Sequence, residues 1–461
     1  MRQKQNTISE RGFVKAAFSL MIPIIIQNLI SHMLGLSDTL MVGMIGESEL
    51  AAMTVANTPY YVLTILLFGV QSGACVLVAQ YHGRGDSDAI NRILGAGMYA
   101  GFFATALVAL VIGLFPEQVM RLLTNNASLV PLGARYARMI GPAYVFASIS
   151  GIYLAVQRSM ENASLGAWVL GGSSLLNIFL NGVLIFGKFG APALGIEGAA
   201  IATVIARVCE VAAVLLYAKC DRKFVVRLSK VLKPGRAMVR DFVRYALPVI
   251  ANETLWSLGV SLFTVVMGYM NGSTAILAAS TLTSNIERII SVVMFAAGNA
   301  AAVLVGKSVG EGAIQKAYAR AITLEKMGLA LGGINLLLLL FTRFVLAGSL
   351  LYPLLHLSGE AREIADFMLL VLAAVAPLRS VNTINIVGVL RGGGDVKTAM
   401  LFDVLPMFLL ALPASAASAL LFGGSIVPMY LLKNCDEIPK FFLAVRRIAS
   451  GKWIRDVTKG A

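Results

Sequence analysis

Residues 68–85 read FGVQSGACVLVAQYHGRG and residues 295–312 read FAAGNAAAVLVGKSVGEG; laid together without a gap they share a leading Phe, the run VLV and a closing G-x-G. Upstream, Pro23 pairs with Pro248 in the same register as Gly43 with Gly268. Downstream, QRSMEN (157–162) meets LRGGGD (390–395), which sets Arg158 opposite Arg391. Likeness between any two Gly- and Ala-rich membrane helices would explain one such match, because small residues are common wherever these helices touch. It would not explain three in the same order, so the chain reads as a duplication.

Composition supplies the class. Of 461 residues, 58% are hydrophobic and 13% charged, and the mean hydropathy is +0.80; such a chain is a polytopic membrane protein. Twelve apolar runs have the length of roughly 20 residues that a hydrocarbon core demands. They lie at 15–43, 51–80, 92–115, 131–157, 165–187, 195–218, 242–270, 276–306, 320–347, 364–390, 398–421 and 423–445. Lys433, Asp436 and Glu437 interrupt the last of them. Breaks such as GMIGES, HGRGDSD, GKFGAPALGIEG and RGGGD carry turn chemistry. No cleavage-site pattern follows Arg2, Lys4, Arg11 and Lys15, so the first helix is expected to be kept. Cys75, Cys209, Cys220 and Cys435 lack CxxC spacing and suggest neither a disulfide framework nor a zinc site.

The expected fold is an all-α membrane protein with twelve transmembrane helices in two six-helix pseudo-symmetric lobes. Residues 1–218 form the N-lobe, 219–241 a cytoplasmic linker, and 242–461 the C-lobe with a basic tail. Six helices per copy give both copies one orientation, the parallel repeat of alternating-access carriers, whose substrate site lies between the halves. Lys and Arg gather in segments that are inside when the N-terminus is cytoplasmic, as in the nine from Lys219 to Arg244. The positive-inside rule therefore places both termini in the cytoplasm. The net charge of +14 is expected to face anionic lipid heads of the inner membrane and no nucleic acid. His32, His82 and His356 are far apart, and HExxH, GxSxG, DDxxD and a Walker motif are all missing. Those gaps disfavour an intramembrane enzyme and direct ATP drive; a channel is disfavoured because no filter loop repeats.

LSDTLMVGMIG (36–46) after a proline-kinked first helix, LNIFLNGVLIFG (176–187), LGIEGAAIAT (194–203), LRGGGD (390–395) and SGKWIRDVT (450–458) occur in this order. Together they resemble the multidrug and toxic compound extrusion family, over essentially the whole chain. The resemblance implies an efflux antiporter driven by sodium ions or protons that exports cationic or amphipathic organic compounds. Lipid-linked-glycan flippases share the architecture and are the alternative. The expected partners are small organic substrates and membrane lipids; no cofactor beyond the coupling ion is implied, and a monomer is expected.

Depth along the helices points to one cluster. At a rise of 1.5 Å per residue, Asp38, Asn177, Asn181 and Thr203 share a level about 9 to 15 Å below the outer edge. Asn177 and Asn181, at i and i+4, face one way. A carboxylate among amide and hydroxyl oxygens suits a hard cation such as sodium, and equally a titrating proton. The resemblance names the same acid, Asn and Thr as ion-linked positions. Where some relatives carry a second carboxylate one turn after the first Asn, this chain has Asn181, which removes a charge from the site. The alternatives are a structural hydrogen bond of Asp38 to nearby backbone or Thr39, and interhelical glue for the two asparagines.

In the second copy Glu253 stands where Asn28 stands in the first, and Phe263 stands at the place of Asp38. Glu253 and Trp256 are expected to form a docking pair for an organic cation, by charge and cation–π contact; an ion pair of Glu253 with Arg379 is the alternative. In the run where certain relatives carry an acid in helix 10, this chain has Arg379, Asn382 and Asn385. Arg207 with Glu210, and Glu287 with Arg288 or another residue of its lobe, read as mutually neutralising pairs. Asp403 is expected near the inner end of helix 11.

Overall fold

The computed structural model describes residues 10–355, 357–421 and 425–460. In chain order the helices are α1 (Glu10–Gly43), α2 (Glu47–Ala56), α3 (Thr58–Arg84), α4 (Ser87–Leu114), α5 (Pro116–Leu123), α6 (Leu129–Ser159), α7 (Ser164–Phe186), α8 (Ile196–Cys220) and α9 (Leu228–Leu232). They continue as α10 (Arg236–Gly268), α11 (Ser273–Gly310), α12 (Ile314–Phe341), α13 (Tyr352–Leu354), α14 (Gly359–Thr383), α15 (Val396–Pro406), α16 (Leu412–Leu421), α17 (Ile426–Lys433) and α18 (Glu437–Ala449). No strand forms among the described residues. In lipid that is expected, because a helix satisfies its own backbone polar groups where water cannot.

Among the described residues eleven helical spans are long and apolar enough to cross a membrane. The twelfth expected run, 423–445, instead forms two short helices, α17 and α18, parted by a turn at residues 434–436. The charges that interrupt its sequence explain the break, since Asn434, Asp436 and Glu437 turn inward to partners rather than along a continuous apolar rod. Residues 423 and 424 of that run lie outside the described residues.

Three stretches of the described helices are π-helical, the first of them Thr342–Leu351 after α12. Pro377 lies seven residues, about two turns, before a π-helical stretch, Ile384–Leu390, that continues α14, and Pro406 directly precedes another, Met407–Ala411, between α15 and α16. Pro23 and Pro248 lie inside continuous α1 and α10.

Contacts divide the chain into a unit of residues 22–250 and a unit of residues 1–21 with 251–460, so that the division falls within α1 and α10, beside Pro23 and Pro248. In the first unit, the core gathers Val42, Ile112, Met120, Tyr136, Ile140, Tyr144 and Ile185. There α3 lies directly on the start of α10: a Cβ on Gly73 would stand 2.5 Å from Cα of Ala246. The segment after α8 is docked. Asn91 of α4 accepts from the backbone N–H of Arg227 at 2.8 Å and donates to the carbonyl of Val225 at 3.1 Å. Tyr99 donates to the Leu232 carbonyl at 2.9 Å, and Asp88 pairs with Arg227 and Lys230.

In the second unit the core gathers Phe263, Met267, Leu282, Leu339, Met368, Leu372 and Met429. The segment after α18 folds back on the loop before α15. Asp395 is wholly buried and accepts from Thr398 at 2.8 Å, with Arg447 at 2.7 Å and Arg455 at 3.1 Å as counter-ions. Trp453 is also wholly buried and lies against Gly393, where a Cβ would meet its ring at 2.3 Å. The two motifs RGGGD and SGKWIRDVT thus complete one another.

Candidate functional site

Asp38 projects from the last third of α1 toward α7. Its Oδ1 accepts from Nδ2 of Asn181 at 2.6 Å. The same amide nitrogen donates to Oδ1 of Asn177 at 3.1 Å, and Nδ2 of Asn177 donates to the Thr203 hydroxyl at 3.1 Å. The Thr203 hydroxyl donates to the Ala199 carbonyl at 3.0 Å. All four residues expected to converge are therefore joined in one hydrogen-bonded row across α1, α7 and α8. Thr39 is not a partner, because its hydroxyl is used on the Gly35 carbonyl of its own helix.

Along the row, donors run out before acceptors do. Oδ1 of Asn181 is buried and has no donor, and among the described residues no donor reaches Oδ2 of Asp38. A buried carbonyl oxygen left without a donor costs about 1–3 kcal/mol. Either a hard cation or a proton on the carboxyl reduces that mismatch: the first is ligated by oxygen atoms, and the second turns an acceptor into a donor.

One turn further along α8, Arg207 bonds Glu210 at 2.6 Å. The buried carboxylate of Glu210 also accepts from Ser150 of α6 at 2.5 Å and from Ser173 of α7 at 3.2 Å. The mutual pairing expected of Arg207 and Glu210 is present, with two hydroxyls added. Tyr60 stacks on Tyr144 at 4.9 Å between ring centres, and Tyr136 donates to Asn57 at 3.3 Å.

In the second unit Glu253 is engaged, but not by Arg379. Its carboxylate lies 2.9 Å from a terminal nitrogen of Arg391. The approach is off the hydrogen-bond angle, since both terminal nitrogens of this buried arginine lack an aligned acceptor. Trp256 is 43% exposed and Asn28 partly exposed; no hydrogen bond ties Trp256 to Glu253. The buried polar residue of this part of α1 is Gln27, which donates to the Ala163 carbonyl at 2.8 Å. A one-residue choice between neighbouring amides in QN had no signal in the sequence beyond its register with Glu253.

Arg379 instead binds Glu287, Glu437 at 2.9 Å and Oδ1 of Asn434 at 2.8 Å. Asn382 donates to both Oε2 and the backbone carbonyl of Glu437 at 2.8 Å, and Asn385 donates to Glu325 at 3.2 Å. Glu287, Ser291, Asn335 and Arg379 border a cavity of about 20 Å³, room for a water molecule. Asp403 pairs with Lys440 at 3.2 Å and accepts from Asn252 at 2.9 Å. Lys440 and Glu437 come from the broken twelfth run, so the charges that spoil its hydropathy are those that close this network.

Long apolar helices in a duplicated sequence define a multi-pass membrane protein built on an internal repeat. The chain belongs to the MatE family, the multidrug and toxic compound extrusion transporters, whose profile matches residues 23–183 and 248–416, one stretch in each copy of the repeat. It is 23% identical over 441 residues to the uncharacterized transporter YisQ of Bacillus subtilis, covering 95% of this chain and 94% of that one. With the multidrug resistance protein MdtK of Yersinia pestis it shares 26% over 411 residues, covering 87% and 86%. Among solved structures, a mutant of the Vibrio cholerae MATE transporter VcmN superposes with a TM-score of 0.82 at 20% identity, over 96% of this chain and 97% of that one. A MOP superfamily transporter from Pyrococcus furiosus gives 0.81 at 18% identity, over 95% and 96%. The fold is that of these transporters.

Proposed function

We propose that the protein is a cation-coupled antiporter that exports organic, cationic or amphipathic, compounds by alternating access, with sodium or a proton taken at Asp38, Asn177, Asn181 and Thr203. The observation that carries the reading is the row itself, where an intramembrane carboxylate and a buried Asn181 oxygen offer more acceptors than the lobe offers donors. Intramembrane carboxylates are costly, and they mark ion or substrate pathways. Ion occupancy that favours one shape of the first unit, with substrate favouring the other, gives exchange by reciprocal linkage. The repeat, with Pro23 and Pro248 each leaving one backbone hydrogen bond missing inside α1 and α10, offers the two-state element such a cycle needs.

The glutamate of the second copy takes a different part. Held beside Arg391, Glu253 fixes a buried guanidinium, and a cation docking at Glu253 and Trp256 has to displace that arginine. The test is uptake of ethidium into inverted vesicles, with a sodium gradient and a pH gradient imposed separately. Uptake driven by one gradient and lost in Asp38→Asn is the expected result. Vesicles that ignore every cation and both gradients, yet move a lipid-linked sugar, would replace the antiporter with a flippase.

A further inference from the structure

Arg207 and Glu210 form more than a neutral pair. Thr203 and Arg207 are one turn apart on the same face of α8, about 6 Å along the axis, and Thr203 is the end of the row that begins at Asp38. On α7, Ser173, Asn177 and Asn181 recur every four residues and face that side of α8, with Ser173 on Glu210 and Asn177 on Thr203. A polar seam thus runs along the α7–α8 contact, with one carboxylate at each end and one arginine between them.

No direct bond joins Arg207 to Asp38; the row Thr203, Asn177 and Asn181 leads from the turn before Arg207 to the carboxylate. Arg207 uses one terminal nitrogen on Glu210 and keeps 20% of its side chain exposed, so donors remain for a second acceptor. Glu210 is held by three helices at once, which leaves the arginine as the member free to move. The other ionisable groups around the seam are Tyr60 of α3, stacked on Tyr144 of α6, and Tyr136 of α6, which donates to Asn57.

We propose that Arg207 is a tethered cation that competes with the transported ion for Asp38, and that Glu210, with Ser150 and Ser173, is the holding site that sets the strength of that competition. The inference rests on Asp38 being the coupling carboxylate. With Arg207 drawn to Glu210, Asp38 is open to the incoming ion. When the ion leaves, Arg207 leans toward the bare carboxylate and lowers the cost of its charge. Release is thereby helped without a second mobile ion. Arg207 and Glu210 act through Asp38 and are positioning residues.

The experiment titrates the purified protein in nanodiscs with sodium chloride against choline chloride at fixed pH, and separately with acid in the absence of sodium. Intrinsic tryptophan fluorescence is the readout, and ethidium uptake into vesicles is followed in parallel. Arg207→Gln should lower the half-saturating concentration of the coupling ion about tenfold, and Glu210→Gln should raise it about tenfold, one pK unit of differential interaction in each case. Arg207→Gln combined with Glu210→Gln should return to within about threefold of Arg207→Gln alone, since Glu210 then has no arginine to hold. Ser150→Ala and Ser173→Ala, which keep all charges, should shift it in the direction of Glu210→Gln, by about threefold each, and keep the proposal testable should Glu210→Gln fail to fold. A purely structural pair predicts that both single variants shift the half-saturation the same way and lose thermal stability together; that result overturns the proposal while Asp38→Asn still abolishes the response. Should Asp38→Asn leave the response intact, the coupling reading itself falls, and the tethered cation falls with it.

Discussion

Arg391 and Glu253, far apart in the chain, stand 2.9 Å from each other in the second unit, and the arginine is only 2% exposed. The acid that sequence reading offers to an organic cation already faces one built into the protein. Glu253→Gln should therefore act first on stability, because removing one member of a buried pair typically costs about 3 kcal/mol or more. Thermal unfolding in detergent should show a clear fall for Glu253→Gln and a partial recovery when Arg391→Met is added. An unchanged midpoint with weakened ethidium binding would return Glu253 to the substrate.

Asp38→Asn should behave in the opposite manner. The amide can still pair with Asn181, so the unfolding midpoint should stay within a few degrees, while ion-dependent export falls to the level of empty vesicles. Export at the normal rate with unaltered ion dependence would make the aspartate a structural hydrogen-bonding residue.

Asn181→Ala removes a donor from the carboxylate and from Asn177 at once. A hydrogen bond to a charged group contributes about 1.5–3 kcal/mol, which predicts a shift of at least tenfold in half-saturating ion. Asn177→Ala, one step further from Asp38, should shift it less. The comparison is made in the same fluorescence titration.

Gly73→Ala tests packing in the first unit. The added carbon would stand 2.5 Å from Cα of Ala246, and overpacking costs about 1–3 kcal/mol. That exceeds the gain of about 1 kcal/mol that alanine brings to a helix interior. Gly113→Ala, where nothing lies within 4 Å, is the control and should be neutral or slightly stabilising by the same unfolding assay.

The segment after α8 should tolerate loss of charge but not loss of its dock. Lys219→Gln with Arg222→Gln should leave ethidium transport nearly intact. Asn91→Ala, which frees the backbone of Val225 and Arg227, should expose residues 222–235 to limited proteolysis. Equal protease resistance in the wild type and Asn91→Ala would show that the dock does not hold the segment.

Legibility followed the reach of local rules. Eleven of the twelve expected spans come from runs of about 20 apolar residues, a signal contained in a short window. The row at Asp38 was legible because helix rise converts residue number into depth and i,i+4 spacing into direction. Partners chosen by tertiary packing were not. The partner weighed for Glu253 was Arg379, and only the fold brings Arg391 to it. Gln27 and Asn28 are adjacent amides separated only by the 100° turn between them. The broken twelfth run was visible as misplaced charge, but its purpose, to bring Asn434, Glu437 and Lys440 onto Arg379 and Asp403, depends on three other helices.

The fold-back that buries Asp395 also orders events in time. During synthesis Asp395 emerges 52 residues ahead of Arg447, an interval of about 3 to 10 s at 5–20 residues per second. Through that interval the RGGGD loop has neither of its arginine counter-ions nor the Trp453 ring that packs on Gly393. A chain stopped between those codons lacks the counter-ions of Asp395 and the ring that packs on Gly393, so the α14–α15 junction closes only once Arg447, Trp453 and Arg455 have been made.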